Sequence, residues 1–411
     1  MYACGMRIWI LQTGEPLHID SAGLRPMRAM NLSNALVANG HRVVLWSSDF
    51  DHFSKKHRTG KTSTIQYSEN LEIRLISSRG YKSHVGLSRL FDHAQLAFNL
   101  RKELKDQNPP DVAFIGYPPI ETAWVMTNWL FRRRIPTLLD VKDAWPDVLL
   151  RAFPTKLQLL AKIALIPYFF IAKNIFKKST GLCSVTQPFL DWSLNKADRS
   201  QSEFDFVAPL TTPLANFNDA DITEAEKWLD AKGVEDDGRI RGSFVGTLNS
   251  AFDFQPIIEA AILTSTLFVI AGDGPEAENL KASTFQIQNI IMLGWINSVQ
   301  AHVLSKRSSF MLAPLKDLAD FKMSVPNKFY DAMAHGLPIV TSITGFAKNL
   351  VIQENIGITY SDSESLCKVI NKIESDLLDE MSTNSLNLYK KNFSFQIVYS
   401  KLINHLKNLT D

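Results

Sequence analysis

Cysteine is scarce in this chain: three in 411 residues, Cys4, Cys183 and Cys367, far apart and odd in number. Such usage offers neither a disulfide framework nor a clustered metal site, and it fits a reducing compartment. An excess of charge of one sign is also missing. The 44 basic and 42 acidic side chains leave a formal net charge of +2, which makes no global case for a nucleic-acid partner. No apolar run approaches the about 20 residues that a bilayer span requires. The first residues lack a basic-then-apolar leader pattern and read as a short lead into a strand, with Met6 as an alternative start. Internal repeats and low-complexity tracts are absent. Acid is absent locally: Val148 to Leu190 contains none.

What is present is an ordinary globular composition, 45% apolar and 21% charged, in a length that suggests two or three domains. Short apolar runs alternate with helical periodicity. The first half predicts strands at Arg7–Thr13, Arg42–Trp46, Leu71–Ser77, Asp111–Gly116, Thr137–Val141, Gly181–Thr186 and Phe204–Leu210, with a polar helix over 87–105. Pro209 and Pro213 then break the chain. The alternation restarts with strands at Ser243–Leu248, Thr266–Ala271, Asn289–Leu293, Phe310–Leu315, Pro338–Ser342 and Gly357–Tyr360. The expected division is a first α/β domain over 1–208, a hinge over 209–215, a second α/β domain over 216–392 and a last helix over 393–411. Each array is that of a doubly wound, Rossmann-like sheet, whose ligands bind at the carboxyl ends of the strands.

The most informative stretch runs from Met323 to Val340. It predicts a loop, a helix opened at Pro326 and stopped at Gly336, and a buried strand begun by Pro338. A helix N-terminus offers unpaired N–H groups and a positive dipole end, which suit a phosphate. Lys328 adds a charge there, and Asp331, one turn on, can accept hydrogen bonds from ribose hydroxyls. An ordinary αβ unit with surface Lys and Asp is the alternative reading of this spacing. In the first βα loop, Gly23 and Arg28 are placed to meet a diphosphate, although the spacing is not G-x-G-x-x-G. The loop Asp49–Arg58 carries His52, Lys55 and Lys56 and overhangs the same sheet edge, either solvated or touching a substrate. The segment Asp140-Val-Lys-Asp-Ala-Trp-Pro-Asp147 sets Asp140 and Asp143 at the mouth of the sheet. There a carboxylate can hold or deprotonate a hydroxyl, or merely cap the next helix; Trp145 packs or offers a ring for stacking. Between Arg151 and Lys178 six cations mix with bulky apolar residues, and the longest uncharged run, Ile163 to Ala172, is ten residues. That reads as a segment lying on an anionic membrane surface, or as a core helix with snorkelling lysines.

Ser324, Pro326, Lys328, Asp331, Met333, Ala334, Gly336 and Pro338 together resemble the sugar-nucleotide signature S-x-P-x-K-x-x-E-x-M-A-x-G-x-P of family-four glycosyltransferases, especially those of bacterial surface polysaccharide assembly. Two departures stand out: the ribose-binding Glu is the shorter Asp331, and an acid common eight residues earlier is Met323. Asp140-Val-Lys-Asp-Ala-Trp-Pro resembles the family's D-x-R-D-x-W-P, and Gly272-Asp-Gly-Pro275 is similar to a further motif. Gly23, Arg28, Gly40 and His41 match a fourth. The resemblance implies the GT-B architecture: two Rossmann-like domains facing one cleft, with the last helix crossing back to the first domain. It also implies retaining, metal-independent transfer from a nucleoside diphosphate sugar, UDP above all, with no cofactor. Donor contacts would come from Gly23, Arg28, Gly246, Thr247, Gly272, Gly274, Trp295, Ile296 and the run Ser324, Val325, Pro326, Asn327. The Arg and Lys that relatives place after the glycine at Gly246 are missing, which throws phosphate charge onto Lys328 and Arg28. Asp143, Lys328 and Asp331 would serve the chemistry; His52, Lys55, Asp140 and Trp145 would face the acceptor. The implied acceptor is a polyprenyl-linked glycan at the cytoplasmic face of the cell membrane, reached through 151–178. A sugar-nucleotide 2-epimerase and a non-catalytic sugar-nucleotide-binding subunit are the other functions this pattern allows.

Overall fold

A computed structural model describes residues 5–21, 24–82, 86–150, 153–373 and 375–410. The chain divides into two compact units, Met1–Thr212 with Phe395–Asp411, and Pro213–Ser394.

The first unit is built on β1 (Arg7–Leu11), β2 (Arg42–Ser48), β3 (Ser63–Ser68), β4 (Leu71–Ile76), β5 (Val112–Tyr117), β6 (Thr137–Val141), β7 (Gly181–Ser184) and β8 (Phe206–Val207). Their sheet order is β3-β4-β2-β1-β5-β6-β7-β8, parallel except for the β3–β4 pair. Parallel strands covered on both faces read as unbroken apolar runs, and β1 shows the consequence. Ile8 and Ile10 enter one core while Trp9 and Leu11 enter the other. The helices α1 (Arg28–Ala38), α2 (Leu87–Glu103), α3 (Ile120–Phe131), α4 (Asp147–Leu150), α5 (Gln158–Ala164), α6 (Ile166–Lys178) and α7 (Gln187–Ala197) flank this sheet. Side chains of α2, α3, α6 and α7 fill the Trp9 side. The Ile8 side is covered by α1 and by the last helix, Phe395–Asn408, through Val398, Tyr399, Leu402, Ile403 and Leu406.

Two strands differ from the sequence expectation. Ser-Thr-Ile-Gln-Tyr-Ser carries too little apolar character to announce β3, because an edge strand with one wet face needs little. Conversely, the apolar stretch 204–210 yields only the two-residue β8; Asp205 is drawn off to Arg199 and to the backbone N–H of Leu182 and Ser202.

The second unit carries β9 (Arg241–Val245), β10 (Leu267–Ala271), β11 (Ile290–Gly294), β12 (Phe310–Ala313), β13 (Ile339–Thr341) and β14 (Gly357–Thr359). They form an all-parallel sheet in the order β11-β10-β9-β12-β13-β14. Both faces are again covered by apolar clusters. Among the described residues no single helix is long and apolar enough to cross a membrane. The pair Thr155–Ala164 and Ile166–Lys178, bent by 60°, passes that test only when joined.

Candidate functional site

In the second unit the carboxyl ends of β9 and β10 and one helix N-terminus converge. The helix is Asn327–Ala334, with Pro326 at its N-cap and no side chain capping it. Proline supplies the right φ at a helix start and lacks only an N–H that would be unpaired anyway. The first-turn amides are therefore left without a capping side chain. Phe329, Tyr330, Ala332 and Met333 bury the opposite side and fix the helix in place; Gly336, at φ +65°, ends it.

Lys328 is the unusual group here. The residue is partly exposed, yet its Nζ has almost no solvent contact and no hydrogen-bond partner. The ammonium lies 3.7 Å from the ring centre of Phe244 and 4.3 Å from that of Phe252. Burial pushes its pKa down to about 7, with Asp331 offsetting part of the effect. A buried cation with no hydrogen-bond partner is costly unless something anionic arrives to pair with it. Beside it the backbone is pared down to glycine. A Cβ on Gly246 would stand 3.3 Å from Lys328 Nζ; one on Gly272 would collide with the Gly246 carbonyl oxygen at 1.8 Å, and one on Gly274 with the Leu248 oxygen at 2.3 Å. Gly272 and Gly274 also hold φ of +145° and +152°, which side chains rarely adopt.

Along this edge Thr247 and Asn327 are exposed, Ser324 and Pro326 half-buried, and Val325 buried. The Gly272 amide donates to the Gly294 carbonyl at 2.7 Å, which sets the end of β11 beside the glycine turn. The next residue, Trp295, is 73% exposed, whereas Ile296 is buried in the core. An exposed indole beside this glycine turn offers its face to a planar ring.

In the first unit the strand ends surround a cavity of about 320 Å³. Its wall includes Gln12, Glu15, His52, Tyr81, Arg89, Asp92, His93, Lys142 and Asp143. Beneath it lies a charge network absent from the sequence expectation. Glu15 accepts hydrogen bonds from the Ala29 amide and from Gln12 Nε2, both at 2.8 Å, and from Lys142 Nζ. Asp140 lies 3.5 Å from both Lys142 and Arg28, and Arg28 donates to the Ala208 carbonyl at 2.6 Å. Burial would raise the Glu15 pKa, but Lys142 and the Ala29 amide outweigh it and hold the carboxyl below its usual value. Burial likewise works against the Lys142 cation, and Glu15 and Asp140 more than offset it.

Three of the expected site residues point inward. Arg28 does not stand open to a diphosphate: it is 2% exposed and its charge is met within the unit. Asp140 is fully buried against two cations rather than presented to a substrate. Trp145 packs in the core with Arg89 5.5 Å from its ring, and its carbonyl accepts from the Tyr117 hydroxyl. Asp143 and His52 do line the cavity. His52 Nδ1 is 2.5 Å from the Tyr81 hydroxyl, and Lys55 sits over the same ring at 4.7 Å. Gly23 lies outside the described residues. The sequence reading missed Glu15, Lys142, Arg89 and His93. Lys142 was within reach, since it occupies the Arg position of D-x-R-D; Arg89 and His93 had no local signal. Among the described residues no three His, Cys, Asp or Glu side chains are grouped to hold a metal ion.

Comparison with known proteins bears on both units. Residues 243–376 match the family described as "Glycosyl transferases group 1". No curated protein shows a sequence match to the chain. Sucrose-phosphate synthase from Thermosynechococcus elongatus has a similar structure, with a TM-score of 0.70 at 15% identity over 98% of this chain and 99% of that one. HepE of Anabaena, solved in complex with UDP-glucose, gives 0.64 at 14% identity over 98% and 100% of the two chains. WaaG, a glycosyltransferase involved in lipopolysaccharide biosynthesis, gives 0.59 at 14% identity over 96% and 98%. The fold is thus GT-B, with two Rossmann-like domains built on parallel sheets.

Proposed function

We propose that this protein is a retaining, nucleotide-sugar-dependent glycosyltransferase whose second unit binds the donor and whose first unit binds the acceptor. The observation that carries the reading is the buried Lys328 ammonium, without a hydrogen-bond partner at an uncapped helix N-terminus. A diphosphate supplies the missing anion. The bare turns at Gly246, Gly272 and Gly274 let its oxygens approach the backbone, Trp295 stacks on the base, and Asp331 takes the ribose. As the glycosidic bond to the diphosphate breaks, negative charge grows on the leaving oxygen. Lys328 and the first-turn amides are fixed in advance where that charge develops. The match over residues 243–376 to a glycosyltransferase family supports this assignment, as does UDP-glucose bound to the structurally similar HepE.

On the acceptor side, Asp143 and His52 in the cavity wall hold the incoming sugar hydroxyls, and Lys55 lies nearby. The acceptor is a lipid-linked glycan, and the segment 151–178 rests on an anionic membrane surface at the inner face of the cell membrane. Leu159, Leu160 and Phe170 are each more than 60% exposed there, next to Lys156, Lys162 and Lys173.

A panel of nucleotide sugars, read by thermal shift and then by mass spectrometry of products on lipid-linked acceptors, tests the assignment. The expected result is stabilisation by one class of nucleoside diphosphate sugar and a glycosylated product. Turnover of the donor alone to an epimer, or no donor binding, would sink it. Removing charge at Lys156, Lys162 and Lys173 should weaken binding to anionic vesicles; full retention would remove the membrane claim.

A further inference from the structure

Helix α2 presents two opposite faces, and both are informative. Arg89, Asp92, His93 and Leu96 line the cavity. Leu87, Phe91 and Phe98, which share the other side at helical spacing, are 71%, 60% and 59% exposed. Exposed apolar side chains continue across the neighbouring helices. α3 packs against both α2 and α6, and it adds Trp124 and Phe131 to the surface, while α6 adds Ile166 and Phe170. Scattered single apolar residues are normal on a protein surface, but a run across adjacent helices is a contact face.

Cations collect at the carboxyl ends of the same helices. Arg101 and Lys102 end α2, Arg132, Arg133 and Arg134 follow α3, and Lys177 and Lys178 end α6. Lys102 lies 4.4 Å from the Phe98 ring and Lys178 5.6 Å from the Phe131 ring, so charge and apolar surface are interleaved. Among the described residues the exposed acids near these helices include Glu103 and Asp106 at the end of α2, Asp191 on the neighbouring α7, and Asp198, which pairs with Lys173 and Lys177, so the cations of the three helix ends outnumber them. A second copy of the chain would bring the same positive charge to the contact and be repelled. A bilayer with anionic headgroups meets both the charge and the apolar side chains.

We propose that the exposed face of α2, α3 and α6 is one bilayer-contact surface, extending the segment 151–178 across the helix that walls the acceptor cavity. The proposal rests on the acceptor and membrane reading given above. Its consequence is specific: α2 becomes the partition between lipid and cavity, so an acceptor anchored in the bilayer reaches Asp143 and His52 without leaving the membrane surface.

The test uses the full chain and vesicles of phosphatidylcholine and phosphatidylglycerol with bromine in the acyl chains. Trp124 should be quenched when vesicles bind, and Trp124→Phe should lose that part of the quenching while still binding. The pair Phe91→Asp and Phe98→Asp should lower vesicle affinity at least tenfold with 151–178 intact and the melting temperature unchanged. If the pair misfolds, the Trp124 signal decides. Equal quenching in Trp124→Phe and the parent, with normal binding, overturns this proposal and leaves the membrane role of 151–178 standing. Absence of vesicle binding overturns both, while donor binding by the second unit is judged separately. A dimer in solution that the Phe91→Asp, Phe98→Asp pair dissociates, without vesicle binding, would assign the face to self-association and refute the proposal.

Discussion

Replacing Lys328 by Met tests the donor site through its pH dependence as well as its affinity. Methionine keeps an unbranched apolar stem beside Phe244 and Phe252, one atom shorter than lysine, and removes the ammonium that lies over their rings. A hydrogen bond from a charged group contributes about 1.5–3 kcal/mol, which at about 1.4 kcal/mol per factor of ten is roughly 10- to 150-fold in Kd. That gain requires the ammonium, and burial holds the free Lys328 at a pKa of about 7. Below pH 7 the cation is already present, and the full difference between parent and variant should appear. Above pH 7 the donor must draw a proton onto Lys328 as it binds, at about 1.4 kcal/mol per pH unit. The parent should therefore weaken about tenfold per unit and converge on the variant near pH 9. Isothermal titration of the nucleotide sugar chosen by the panel, in two buffers of different ionisation enthalpy, measures this directly. Proton uptake in the parent should peak near pH 8, fall again towards pH 9 as the donor binds neutral Lys328, and be zero in Lys328→Met. Without ligand the sign reverses. The folded chain holds fewer protons at Lys328 than the unfolded one between about 7 and the ordinary 10.5, so the parent gains stability as pH rises through that window. A variant with parental affinity, or a parent whose affinity is flat from pH 6 to 9 without proton uptake, would refute the reasoning.

Gly272→Ala should cost several kcal/mol in a urea melt of the second unit and abolish donor binding, since its Cβ meets the Gly246 carbonyl at 1.8 Å; parental stability would show that the turn can move. Lys142→Ala leaves Glu15 and Asp140 with Arg28 as their sole cation and should destabilise the first unit by about 3–5 kcal/mol, read by chemical denaturation. Because the folded Glu15 carboxyl lies below its ordinary 4.5, its contribution is complete above that value and lost as pH falls through the folded one; Glu15→Gln should therefore flatten the acid limb of the melting curve. Trp295→Ala should weaken donor binding by about 1–3 kcal/mol if the indole stacks on a base, and the parental tryptophan fluorescence should change on donor addition.

Most of the architecture was legible because parallel strands buried on both faces must be apolar throughout, as in Val112–Tyr117 and Leu267–Ala271. The helix at Asn327 was legible because proline and glycine punctuate it. β3 escaped because an edge strand can be polar. Gly246, Gly272 and Lys328 lie on strand-to-helix turns of one sheet edge, where glycine, proline and lysine spacing singles them out in the sequence. The cavity of the first unit is different in kind. Glu15 and Lys142 are separated by 127 positions, and His93 enters the cavity from a helix that reads simply as polar. Nothing in local spacing could reveal that Arg28 would be enclosed by Asp140 and the Ala208 carbonyl rather than offered to a phosphate. The near neutrality of the whole chain concealed a face whose cations are gathered on three helices.

The position of the final helix has a consequence for how the chain comes off the ribosome. The first unit spans 1–212 and 395–411, so its fold is interrupted by the whole of the second. Val398, Tyr399, Leu402, Ile403 and Leu406 complete the core on the Ile8 side. At about 1.5–3 kcal/mol each, they contribute on the order of 10 kcal/mol, comparable to the entire net stability of a typical domain. A nascent chain can therefore finish the second unit while the first still waits, its hydrophobic seam uncovered, for the helix Phe395–Asn408 that follows it. A stop codon just before Phe395 would leave the Lys328 site assembled on a protein whose other half has lost its closing piece.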